Sequence, residues 1–199
     1  MQIIDKILGP LETRTLLLIC PVTLESILID PSFYSHHYFA PIIREKNLSL
    51  KKIYLTHSHY DHIVDIAKFK DMGIDIFVHP LDSQNVIAPG SDGLRALKAI
   101  EGVQDPKFFQ EGDRVSFGQI QGVVLETPGH SPGSCCFYFP DQEVLISGDT
   151  LFKGAIGRLD LPTGQPEKMG ASLDKLRKLP KKTVVYPGHG PKTTLREEL

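Results

Sequence analysis

The segment Thr56-His57-Ser58-His59-Tyr60-Asp61-His62 sets three imidazoles and a carboxylate directly after the strand-like run KIYLT (52–56). His57 and His59 are two residues apart, so in extended backbone both rings point to one side. Asp61 and His62 fall at the start of a helix expected over Ile63–Met72. Consecutive helical residues diverge by ~100°, which aims this pair away from the first. Three later segments repeat the character: His130 in TPGHSPGS, Asp149 in SGDT and His189 in YPGHGP each follow an apolar run and sit beside glycine. Glycine lets backbone turn tightly and come close to an ion. Five imidazoles and two carboxylates on strand-end loops point to a binuclear metal site. Two cations need a negative bridge, which Asp149 can supply. Neutral imidazole suits zinc, iron, nickel or copper, and carboxylate also admits manganese. The expectation is two divalent ions, zinc first, with iron or manganese compatible.

The remaining histidines carry less. His36, His37 and His79 read as surface or strand-end packing residues. Cys135 and Cys136 alternate sides of a strand and read as inert packing. Three cysteines, two of them adjacent, form no disulfide framework and fit a reducing compartment, so a cytoplasmic location is expected. Lys+Arg total 22 against 24 Asp+Glu, a balance that gives no reason to expect nucleic acid or an anionic membrane as partner. The longest apolar run, Leu16–Cys20, is too short to span a bilayer, and the N-terminus lacks the pattern of a signal peptide.

These residues need strands to carry them. Across 199 residues, enough for one domain, short β-type runs recur: TLLLIC (15–20), SILID (26–30), KIYLT, DIFVH (75–79), QIQGVVLE (119–126), SCCFYF (134–139), EVLIS (143–147) and TVVYP (183–187). Helices are expected over Tyr38–Asn47, Ile63–Met72 and Pro166–Lys178. Strand–helix alternation followed by a meander predicts an α/β protein with sheets covered by helices.

In combination, the motifs resemble the metallo-β-lactamase superfamily over about Ile7 to Pro191. THSHYDH is similar to its central metal motif, His130, Asp149 and His189 fall in the order of its later ligands, and ILIDP (27–31) resembles its early strand ending in Asp-Pro. The resemblance implies an αββα sandwich, two mixed β-sheets flanked by helices, with metals at one edge. It implies that His57, His59 and His130 hold one metal, that Asp61, His62 and His189 hold the second, and that Asp149 bridges. One departure is Val64-Asp65, where many members have Gly-Gly. Within the superfamily, GDTLFKGAIGRLDLPTG (148–164) looks like the glyoxalase II group. Aspartate rather than cysteine at position 149 speaks against true β-lactamases. Ten residues follow His189, so residues 1–199 are expected to be a single domain without the glutathione-gripping helical domain of that group. There is no room for the large insertion of the nuclease branch.

The resemblance implies hydrolysis of a small thioester such as S-lactoylglutathione, with water acidified between two cations as nucleophile and Asp61 as the residue that orients it. Lys153 and Arg158, just past Asp149, could bind an anionic substrate tail. The chief alternative is an iron-dependent persulfide dioxygenase using His57, His130 and Asp149. A noncatalytic module with a structural metal is a third reading, disfavoured because structural zinc sites are usually closed Cys/His sets.

Overall fold

Strand pairing divides the chain into two six-stranded mixed sheets. The first keeps spatial and chain order alike: β1 (Gln2–Leu8), β2 (Thr13–Ile19), β3 (Glu25–Ile29), β4 (Ser49–Tyr54), β5 (Asp75–Val78) and β6 (Lys107–Phe108). β1 to β3 are antiparallel neighbours, and β3 to β6 run parallel. The second sheet contains β7 (Arg114–Phe117), β8 (Ile120–Glu126), β9 (Cys135–Phe139) and β10 (Val144–Gly148). A small hairpin follows, β11 (Leu151–Phe152) with β12 (Ala155–Ile156), before β13 (Val184–Pro187) and β14 (Thr193–Thr194) complete the second sheet. The helices are α1 (Ser35–Glu45), α2 (Tyr60–Ile63), α3 (Ile66–Lys70), α4 (Ser83–Ile87), α5 (Pro166–Arg177) and α6 (Leu195–Glu198). The structure is a computed structural model and describes all of residues 1–199.

Period-two alternation sorts the side chains into layers. Along β2, Leu16 and Leu18 join Ile27, Ile29, Phe117, Phe137, Phe139 and Ile146 in a core between the two sheets. Leu17 and Ile19 face the other way, packing with Leu28, Phe39, Ile43, Ile63 and Phe69 beneath α1, α2 and α3. Cys136, Leu145 and Val185 cover the outer face of the second sheet with Leu176 of α5 and Leu195 of α6. The result is the expected αββα order. Cys135 lies in the inter-sheet core and Cys136 on the opposite face, both fully packed.

Topology explains why the donors meet. β8 and β10 are each antiparallel to β9, and β13 is parallel to β10, so β8, β10 and β13 all end at one edge. β3 and β4, parallel in the first sheet, deliver Asp30 and Thr56 there, and a Cys135 N–H to Thr56 carbonyl bond of 2.8 Å ties the two sheets at that edge.

Some elements differ from the sequence expectation. The helix expected over Ile63–Met72 is two short ones, α2 and α3, interrupted at Val64-Asp65. Asp65 is the reason: its N–H donates to the Pro31 carbonyl, and its buried carboxylate accepts from the His36 N–H and pairs with Lys68. The departure from Gly-Gly is thus a buried carboxylate fastening the start of α1. β1, a half-buried edge strand, was not foreseen because its burial does not alternate cleanly. α1 and α5 start or end within a few residues of expectation. Residues 88–106 contain no helix or strand. No helix is long and apolar enough to cross a membrane.

Candidate metal centre

Both expected ligand sets assemble. Donor atoms of His57, His59 and His130 lie within 4.8 Å of one another, and so do those of Asp61, His62 and His189. Asp149 reaches both groups: Oδ2 is 3.4 Å from His130 Nε2 and 3.5 Å from His189 Nε2, while Oδ1 is 3.5 Å from His62 Nε2. That is the placement a bridging carboxylate requires.

The donors fit cations. Nε2 of His57, His59, His62 and His130 and Oδ1 of Asp149 are buried and have no hydrogen-bond partner. A buried unsatisfied polar atom costs about 1–3 kcal/mol, and native proteins hold few of them. Five converging on one edge are accounted for if their lone pairs are ligands. The opposite ring nitrogens of His57, His62, His130 and His189 are engaged. Nδ1 of His62 donates to Asp30 at 2.9 Å, that of His130 to the Arg158 carbonyl at 2.8 Å, and that of His189 to the Leu11 carbonyl at 2.9 Å. His57 Nδ1 donates to Thr56 Oγ1 at 3.1 Å, because that hydroxyl gives its own proton to Asp30. These bonds fix the tautomer and turn Nε2 inward.

Burial, reinforced by the neighbouring imidazoles His62, His59 and His130, drives His57 well below the ordinary histidine range. Burial and the neighbouring His130 bring His59 down to about 3. Both are therefore neutral, as ligands must be. At His62, burial also opposes charge, but Asp61, Asp149 and Asp30 outweigh it and push the ring up to about 10. Burial would raise the Asp61 carboxyl, yet the charge of His62 and the bonds from His189 and Thr13 hold it below the usual carboxylate range.

Several supporting residues escaped the sequence reading. Asp30 sits at the end of β3 with φ +50°, a strained conformation for a non-glycine residue. It is held there by accepting from Thr56 N–H, Thr56 Oγ1 and His62 Nδ1, so it orients a ligand rather than serving as one. Buried Asp82 accepts from Ser58 N–H and Ser131 Oγ on one oxygen and from Gly133 N–H on the other, clamping the His57/His59 loop to the His130 loop. Buried Arg14 donates to the carbonyls of Pro187 and Gly190 and pairs with Asp5, locking the His189 loop. Thr13 Oγ1 donates to Asp61 at 2.6 Å. Charged Arg14 within the otherwise apolar run TRTLLLI was the visible signal for one of these. Gly188 is required by close approach, since a Cβ there would meet Asp149 Oδ1 at 2.1 Å.

The donors open onto a cavity of about 490 Å³ lined by His59, Asp61, His130, Asp149 and His189, with Leu11, Leu94, Phe152 and Leu161 as its apolar part. Arg158 is on its wall, in a two-pronged pair with Asp160 at 2.9 and 2.8 Å. Lys153 is exposed at the turn of the β11–β12 hairpin and does not line the cavity. His79 is outside the metal groups and bonds Glu126 at 3.0 Å, while His36 packs edge-on against Phe69.

The model of the metallo-beta-lactamase superfamily matches residues 17–189, nearly the whole chain. The chain belongs to this superfamily. A probable metallo-hydrolase of Bacillus subtilis (YqgX) is 36% identical, with 96% of this chain and 90% of that protein aligned. A hydroxyacylglutathione hydrolase of Bartonella quintana is 34% identical over 74% of this chain and 51% of its own length, so the shared part is about half of that protein. Among solved structures, the BLEG-1 B3 metallo-beta-lactamase superposes with a TM-score of 0.89 at 31% identity, covering 98% of this chain and 95% of that one. TTHA1623, determined in a di-iron-bound form, gives a TM-score of 0.82 at 36% identity over 97% and 95%. As a superfamily member with this site, the chain is similar to metallo-hydrolases; the donor set is compatible with two divalent ions.

Proposed function

We propose that this superfamily member is a binuclear hydrolase of small thioesters, with S-lactoylglutathione as the model substrate and zinc as the first choice of metal. What carries the reading is the complete second ligand set, Asp61, His62 and His189, joined through Asp149 to the first and open to a cavity. A mononuclear oxygenase has no chemical need of that set, and a structural metal has no need of a cavity. The name of the Bartonella relative supports the choice of substrate class. When bound, two divalent ions would acidify water and polarise a carbonyl oxygen. His57, His59 and His130 would hold one ion, Asp61, His62 and His189 the other, and Asp149 both.

The chain's own groups supply the rest. Asp61, kept ionised, accepts a hydrogen bond from the attacking water, while Thr13 Oγ1 steadies its Oδ2. Tyr60, Leu11, Phe152 and Leu161 line the space for the substrate arms. A thiolate leaves readily, so no proton donor to the leaving group is required.

The test is anaerobic hydrolysis of S-lactoylglutathione by zinc- and iron-loaded protein beside oxygen uptake with glutathione persulfide, with elemental analysis of both forms. Thioester hydrolysis without oxygen uptake is the expected result. Oxygen uptake by the iron form, with no hydrolysis by any form, would replace the hydrolase by the dioxygenase.

A further inference from the structure

Residues 88–106 form an irregular strap, two of whose residues reach the cavity. Leu94 and Arg95 line the cavity, and further along the strap Lys98 Nζ sits 5.3 Å from the centre of the Phe33 ring. The strap is not free-standing. Buried Asn85 donates to the carbonyl of Ser58, the residue between His57 and His59, at 2.6 Å, and to Asp92 Oδ2 at 2.9 Å. Its Oδ1 accepts from Gly90 N–H at 2.8 Å, and Asp92 Oδ1 accepts from Leu94 N–H at 2.9 Å. Gly93 packs on Pro162, where an added Cβ would come within 3.3 Å of the ring. A chain of buried hydrogen bonds therefore runs from the metal-ligand loop to the residue just before Arg95.

Two arginines line this cavity, both cationic, and they differ in their partners. Arg158 is neutralised by its paired contacts with Asp160. Arg95 is exposed and has no acidic partner. The cavity otherwise carries the buried carboxylates Asp61 and Asp149 and the apolar side chains Leu11, Leu94, Phe152 and Leu161. An unpaired, exposed guanidinium on the cavity wall, next to backbone tied to the ligand loop, is matched by a carboxylate on the substrate arm, since Arg binds carboxylate through two parallel N–H donors.

We propose that Arg95 is the specificity-determining cation of this site, selecting thioesters whose arm ends in a carboxylate. The proposal deepens the hydrolase reading and rests on it for the word thioester. Its binding half is tested separately. The probes are S-methylglutathione, which cannot be hydrolysed as a thioester, and its diethyl ester, titrated calorimetrically into the metal-loaded full chain. The parent should favour the diacid by about tenfold or more, with the preference shrinking as salt rises. Arg95→Gln should lose about 5- to 10-fold of that preference, the scale of one partly solvated charged hydrogen-bond pair. Arg95→Lys should recover part of it, and Lys98→Gln should retain it in full. Equal preference in the parent and Arg95→Gln overturns the proposal, as does a parent that binds neither probe or both alike. Turnover of S-lactoylglutathione, measured on the same preparations, separates the two readings. Discrimination without turnover removes the hydrolase and leaves Arg95 in place, whereas turnover without discrimination does the reverse.

Discussion

Around His57, His59 and His130 the nearest ionisable neighbours are mostly other imidazoles; around His62 they are three carboxylates. Burial acts on both halves of the metal centre, yet it wins only in the first, where His57 and His59 are held neutral. In the second, Asp61, Asp149 and Asp30 outweigh burial and hold a proton on His62. The first half is a ready set of neutral donors. The second is a charge-rich set that a cation must enter in competition with a proton. Buried charge needs a partner, and this contrast predicts that the two positions fill in order and depend differently on single residues and on pH.

The largest effect is expected from Asp61→Asn. It removes a charge that belongs to the second half and, in the proposed hydrolysis, the acceptor for the attacking water, while keeping the Thr13 hydroxyl partnered. Loss of one such group commonly costs about 10²–10³ in rate. Steady-state turnover beside metal analysis checks this. A variant with both ions bound and parental turnover would remove Asp61 from the chemistry.

Asp30→Asn comes next. Asp30 touches no cavity but orients His62 through Nδ1. Removing such an outer carboxylate typically weakens metal binding by about 10–100-fold. The loss should fall more heavily on the second ion, because Asp30 bonds His62 directly and reaches His57 only through Thr56 Oγ1; chelator competition reads it. Equal weakening at both positions would show that the halves are not separately supported.

Legibility in the sequence differs between the candidate ligands and the residues that support them. The residues of the two donor groups could be read because their types are chemically unusual and each lies just past an apolar strand. The layers were legible because β2 and β9 alternate strictly between two faces. Asp82, Asn85 and Arg14 were not, because a buried polar residue that bonds backbone 24 to 176 positions away leaves no local spacing; Asp30 showed only as the end of ILIDP, with nothing to tie it to His62. The break at Val64-Asp65 was hidden for the same reason: the apolar period continues through it, and only the partners of Asp65 end the helix. Arg95 lay in a stretch with no period, where a cation reads as solvated until Asn85 and Asp92 are seen to hold its backbone.

A smaller, graded effect concerns pH. With His62 raised to about 10, metal-free protein carries its proton at pH 7, and the second ion must displace it. Affinity for that ion should rise with pH through the neutral range, since burial is outweighed at His189 too, by its bond to Asp61 and the charge of Asp149. The first ion displaces no proton from His57 or His59, whose pKa values lie below neutrality, so these residues give its affinity no such slope. Sequential metal titration in weak buffer, with proton release followed by indicator dye, reads both. Equal release for the two ions would erase the contrast between the halves.

The smallest effect is expected at His79, which sharpens the comparison by lying outside it. Its Nε2 bonds Glu126 at 3.0 Å and its Nδ1 accepts from Leu81 N–H at 3.3 Å, a strand-end role remote from both ligand groups. Burial raises the Glu126 carboxyl, but the Glu111 N–H and His79 more than offset it, so the group is held below its ordinary range. The sign follows: this contribution is present above the unfolded carboxylate value and fades as pH falls through the lower folded one. His79→Gln keeps a donor within reach of Glu126 and changes only the geometry of a contact that is partly solvated. Exposed pairs of this kind contribute about 0–1 kcal/mol. Denaturant melts at pH 7 should therefore differ by no more than that, with metal content and turnover at parental values. A His79→Gln protein that folds normally but loses an ion would place His79 in the metal centre and redraw the boundary between its two halves.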